Sequence, residues 1–189
     1  MLQKTIKANK GQFMNHAFSN QSKVTVMNHN VTNLLALLLL LIVTLFSHTV
    51  KANDKTDIDK ILAMTTAPNG VVFELIGQEN STYLPSALTK IQAYKNQLKK
   101  KFPNIKVAVV SHGSEQFELT TNNATKEKKA HQLVKRITAA DVPVHICEGH
   151  ASWRQIKAKD FPSYITPSAS GPAQIRQYQS QGYLLVIVD

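Results

Sequence analysis

The chain has 189 residues and a mass of 21.0 kDa, enough for one domain with its own core. Hydrophobic residues make up 43% and charged ones 18%, with 7 Gly and 7 Pro, which excludes collagen-like, low-complexity and wholly disordered classes. A single Cys excludes an intrachain disulfide framework and any zinc module built on two or more cysteines, while the formal charge of +10 raises nucleic acid as a partner until its distribution is read.

The first feature along the chain is an address. Leu34 to Phe46 reads LLALLLLLIVTLF, with Thr44 its only polar residue. At 1.5 Å per residue such a run covers roughly 20 Å, short of the roughly 30 Å hydrocarbon core of a bilayer. Lys4, Lys7, Lys10 and Lys23 precede it, and Val50 and Ala52 follow as the −3 and −1 positions of a small-residue cleavage site. Residues 1–52 therefore read as a secretory signal peptide cut after Ala52, with Met27 as an alternative start and an uncleaved anchor as the alternative outcome. The expectation is an exported, periplasmic protein with no stable membrane insertion once the leader is gone. The leader carries 5 of the 22 basic residues and none of the acidic ones, which leaves residues 53–189 at +5. The remaining lysines cluster at helix ends without interleaved aromatic rings, so solvated helix faces, not nucleic acid, account for them.

Residues 53–69 are polar and charged and read as a flexible N-terminal arm. From 70 to 189 apolar runs alternate with helical patterns. Val71 to Ile76 is a strand; Leu84, Leu88, Ile91, Leu98 and Phe102 recur at helical spacing, with Ser81 or Thr82 as the cap. Pro103-Asn104 ends that helix and Lys106 to Ser111 forms a second strand, followed by an Asn-rich loop. A helix over Thr125 to Ala140 precedes a third strand, Pro143 to Cys147. A short helix within Ala151 to Lys159 and a short strand over Tyr164 to Thr166 come next. Pro172 to Gln181 reads as a helix with Pro in its first turn and Gly182 just past its end, and Tyr183 to Val188 as a fully buried last strand. Strands apolar on both faces, alternating with helices, predict a single three-layer α/β/α domain with a mainly parallel sheet of about five strands. Sites in such sheets form beyond the carboxyl ends of the strands.

Two strands end in reactive side chains. The second runs into Ser111-His112-Gly113, the third into His145-Ile146-Cys147-Glu148-Gly149-His150. In a parallel sheet both ends share one edge, which makes Cys147 the candidate nucleophile and His112 its candidate neighbour. Free N–H groups at the start of the next helix favour a thiolate; Glu148 opposes it. A small buried, inert thiol is the plainer alternative. A second alternative is a copper or zinc module in which His112, His145, Cys147 and His150 supply three imidazole nitrogens and one sulfur as ligands. No dinucleotide fingerprint, P-loop or nucleophile elbow is present, so neither a nucleotide nor any other cofactor is expected. Asn80-Ser81-Thr82 and Asn123-Ala124-Thr125 match glycosylation sequons, triplets that arise often by chance.

With these elements in place, the chain resembles the DsrE/DsrF-like family of sulfur-relay proteins, in particular its small exported members. The resemblance runs from Val71 to Asp189. It is carried by VVFEL in the first strand, by VAVVSHG at Val107 to Gly113, by Cys147 at the family's cysteine position, by Ser168 to Gly171 at the last helix entry and by Gln181-Gly182-Tyr183 before the last strand. The resemblance implies a three-layer α/β subunit that assembles into dimers, trimers or hexamers. It also implies that Cys147 accepts sulfur as a persulfide and passes it to a thiol of a partner protein, with His112 steadying the anion or moving a proton. Where the family commonly has an Asn-Thr-Leu-like segment after the cysteine, this chain has Glu148-Gly149-His150-Ala151-Ser152.

Overall fold

The apolar runs recognised in the sequence form five strands that pair side by side and all in parallel. The computed structural model describes residues 53–188, so the expected signal peptide over 1–52 lies outside the described residues. In chain order the strands are β1 (Gly70–Leu75), β2 (Lys106–Ser111), β3 (Val144–Cys147), β4 (Thr166–Ser168) and β5 (Tyr183–Val188). The helices are α1 (Asp54–Ala63), α2 (Tyr83–Lys101), α3 (Lys128–Thr138), α4 (Glu148–Ser152) and α5 (Gly171–Ser180). The order across the sheet is β4-β3-β2-β1-β5. The chain thus steps outward from β1 to β4 and then returns to lay β5 on the other side of β1.

The period of two along each strand sorts the layers. Val71, Phe73 and Leu75, with Val107, Val109, Val144, Ile146, Val186 and Val188, face the main core, which α1, α2 and α3 close with Ile58, Leu84, Leu88, Ile91, Leu98, Leu133, Val134 and Ile137. The alternate residues Val72, Ala108 and Val110 face a smaller cluster closed by Ile175 of α5. The domain is a three-layer α/β/α arrangement, as the alternation predicts.

Four local expectations need correction. The stretch 53–69, read as a flexible arm, contains α1, capped by Asn53 accepting a hydrogen bond from the Thr56 N–H and anchored by buried Ile58 and Ile61. Two apolar residues at i and i+3, plus the ion pair of Asp54 with Lys90 at 3.1 Å, hold a helix that its polar composition disguised. The last strand is not buried on both faces: β5 is an edge strand, and Leu184 remains 36% exposed. The short fourth strand lies two residues later than expected, at Thr166–Ser168, and the helix before it starts directly after Cys147.

Elsewhere the end signals hold. Ser170 caps α5 by accepting from the Ala173 N–H, Pro172 sits in the first turn, and Gly182 follows the helix at φ +83°, a left-handed conformation that glycine adopts without strain. Among the described residues no helix is long and apolar enough to cross a membrane.

Candidate functional site

At the carboxyl edge of the sheet the ends of β1, β2, β3 and β4 surround an open cleft of about 560 Å³. Ile76, His112, Cys147, His150, Trp153 and Pro172 are among its walls. The sequence reading thus placed Cys147 and His112 at one edge, and the structure brings both to one cleft.

Cys147 ends β3 and caps α4. Its N–H donates to Oε1 of the buried Gln116 at 2.8 Å, and its Sγ accepts the backbone N–H of His150 at 3.4 Å. The residue is 7% exposed, so only a small part of it reaches the cleft. The His150 N–H is a donor aimed at the sulfur. His150 Nδ1–H in turn donates to the carbonyl oxygen of His112 at 2.9 Å. Phe117 and Trp153 flank the ring edge-on, with centroids 5.1 and 5.0 Å away.

His112 plays a different part from the one its position suggests. Its Nε2–H donates to the Glu74 carboxylate at 2.7 Å, and no hydrogen bond joins its ring to Cys147 among the described residues. Glu74 stands opposite Val110 in the β1–β2 register, so His112, two residues on, is its diagonal neighbour on the same face. The first turn of α5 presses on this pair: a Cβ on Gly171 would sit 2.5 Å from the Cβ of His112, so only glycine permits the approach. His112 therefore reaches the sulfur through its backbone, by way of His150.

The cleft floor is fixed by buried acids on the 3₁₀ segment Ser114–Leu119. Glu115 accepts from the Ser111 hydroxyl at 2.7 Å and from the N–H groups of Gly77 at 2.6 Å and Gly113 at 3.1 Å. Burial raises its carboxyl above the ordinary range, and these donors partly offset the rise. Glu118 accepts from the Asn80 N–H at 2.7 Å. Its carboxyl is pushed up to about 7, chiefly by burial, with Glu127, Glu79 and Glu115 adding negative charge nearby. The loop after β1 is thus pinned at two points to the segment that follows β2.

The four-ligand metal set does not assemble. His112 Nε2 is taken by Glu74, and His145 Nε2 shares a hydrogen bond with the Tyr178 hydroxyl at 2.8 Å. His150 Nδ1 is taken by the His112 carbonyl, and among the described residues no three His, Cys, Asp or Glu groups lie close enough to hold an ion. Burial lowers the pKa of His145, disfavouring the charged form of the ring against α5.

Sequence reasoning missed Glu74, Gln116 and the role of the His150 backbone. A signal existed for one: a lone acid inside VVFEL, in a strand otherwise apolar, demands a buried partner.

No family model matches the chain, and no curated protein is similar to it. Solved structures similar to it include the following two. MTH1491, a protein of unknown function from Methanobacterium thermoautotrophicum, is 14% identical over 62% of this chain and 96% of its own, with a TM-score of 0.50. The YchN protein from E. coli is 12% identical over 62% of this chain and 98% of its own, with a TM-score of 0.46. At such identity the first likeness defines a class of fold, an α/β domain of this size, and no more.

Proposed function

We propose that the protein is an exported sulfur carrier or thiol redox protein of the DsrE/DsrF-like kind, working through Cys147. The observation that carries this reading is the position of the chain's sole thiol, at a strand's carboxyl end, on a cleft wall and under the donating N–H of His150. The fold shared with the archaeal protein is compatible with it.

In the proposed step Cys147 loses its proton to solvent, and the thiolate attacks the outer sulfur of a donor persulfide. The Cys147–sulfur bond forms, the donor's sulfur–sulfur bond breaks, and the donor leaves as a thiolate. The His150 N–H then faces the new persulfide anion. Attack by a partner protein's thiolate on the same outer sulfur reverses the change and releases Cys147. His112, tied to Glu74, acts as a positioning residue: its carbonyl orients His150, and it is not a proton carrier at the sulfur. Assembly into a homo-oligomer and passage through an export route by residues 1–52 belong to the same proposal.

Intact-mass analysis after incubation with a sulfane-sulfur donor tests the step. A gain of about 32 Da, absent in Cys147→Ser, is the expected result. A wild-type chain that stays unmodified overturns it. The 7% exposure of Cys147 favours one rival, an inert core thiol. That rival requires rapid labelling of the unfolded chain and none of the folded one.

A further inference from the structure

The walls of the cleft carry a second message, about what approaches the sulfur. No Lys, Arg, Asp or Glu lines it among the described residues. Its mouth is apolar and unusually bare: Trp153 is 82% exposed and Ile76 is 55% exposed, and both line the same cleft as Cys147. Large apolar side chains left this open at the rim of a concave surface mark a place where an apolar group is received. The indole of Trp153 already lies edge-on to His150, so a flat ring entering there meets two aromatic edges.

The surrounding charge adds selection. Arg154, the cation next to Trp153 in the chain, is turned away, with Nη1 2.6 Å from Glu79 and its guanidinium 4.0 Å above the Phe117 ring. Behind the floor lie the buried acids Glu115 and Glu118, and Glu148 opens α4. An anionic reactant would enter a cleft whose lining holds no lysine or arginine, with the acid Glu115 buried beneath Gly77 and Gly113. A neutral one pays no such penalty.

Resting on the reading of Cys147 as the reactive group, we infer that this cleft selects neutral aromatic or apolar sulfur compounds, seated against Trp153 and Ile76, over anionic ones. With a disulfide of that class, the Cys147 thiolate attacks one sulfur and forms a mixed disulfide. The other half leaves as a thiolate that takes a proton from water.

Two aromatic disulfides make the test: 4,4′-dithiodipyridine, neutral near pH 8, and the dianionic 5,5′-dithiobis(2-nitrobenzoate). Each labelling rate on the folded full chain is divided by its rate on the same chain unfolded in urea. The normalised rate for the neutral reagent is expected to exceed that for the anion at least tenfold. Trp153→Ala should lower the neutral rate at least threefold and leave the anionic rate unchanged. Where the folded chain labels, equal normalised rates, or a faster anion, overturn the inference. Binding is read separately in Cys147→Ser, where Trp153 is the chain's only tryptophan and reports on the cleft directly. Benzyl methyl sulfide should quench its emission saturably, and 4-[(methylthio)methyl]benzoate at least tenfold more weakly. If folded Cys147 labels with neither reagent but the quenching pattern holds, the sulfur-carrier reading falls and the selectivity stands. If labelling is fast but no quenching difference appears, the selectivity falls and the reactive thiol stands.

Discussion

On the side of the sheet covered by α1, α2 and α3, β1 presents Val71, Phe73 and Leu75; on the side covered by α5 the same strand presents Val72 and Glu74. β2 and β3 repeat the division, with Val109, Val144 and Ile146 on the first side and Ala108, Val110 and His145 on the second. The first side is closed by three helices and has no charged residue from these strands in its core. The second is closed by one helix and carries the Glu74–His112 and His145–Tyr178 pairs. One backbone thus serves two purposes by alternation alone. The side with apolar surplus supplies stability, and the thinner side tolerates polar groups close enough to a cleft to be useful.

That comparison can be broken by substitution, beginning where the effect is largest. Phe73→Ala, which empties a fully buried ring site stacked on Tyr94, should cost about 3–5 kcal/mol in urea unfolding. Glu74→Ala removes the partner of a partly buried imidazole and should cost about 1–3 kcal/mol. If Glu74→Ala costs as much as Phe73→Ala, the claim that stability resides on the three-helix side fails. Cys147→Ser should cost less than Phe73→Ala while abolishing the persulfide adduct seen by mass.

Glu118 sharpens the contrast through pH. Folding raises its pKa from the ordinary value to about 7, so the folded state holds this proton more tightly than the unfolded one. The stabilisation is complete below the unfolded value of about 4.3 and is lost as pH rises through about 7. His145 has the opposite sign: burial lowers its pKa, so its contribution is complete above about 6.5 and is lost as pH falls. Glu118→Gln should therefore flatten the decline in melting temperature between about pH 5 and pH 8 and leave the variant more stable than wild type at the upper end. A variant whose pH profile overlays the wild type removes Glu118 from the account. Trp153→Ala, at the smallest end, should change stability by no more than about 0.5 kcal/mol, since its side chain is almost fully in solvent.

The sequence made the repeating parts legible. Strands β1, β2 and β3 announced themselves as apolar runs, α2 by Leu84, Leu88, Ile91 and Leu98 at helical spacing, and α5 by its Pro and Gly punctuation. Cys147 and His112 could be placed on one edge because parallel strands put their carboxyl ends together. What stayed hidden depends on lateral order. That β5 is an edge strand follows from its return beside β1, which no local pattern encodes. The partners Glu74 and His112 lie 38 positions apart and meet only through the β1–β2 register. Gln116 looked like any polar residue in a loop until the fold carried it beneath the Cys147 N–H.

The layer made by α5 has a kinetic consequence. Only Gly171 and Ile175 of its ten residues are buried, and lifting this helix from the sheet uncovers the small cluster of Val72, Ala108 and Val110 while leaving the main core closed. Its amides should exchange with deuterium through local opening events, long before those of α2, which require loss of the whole core. Because Ser170 and Pro172 line the same cleft as Cys147, each such excursion would also widen the passage to the sulfur. Access to a thiol that is almost covered in the resting fold would then be governed by the breathing of one short helix.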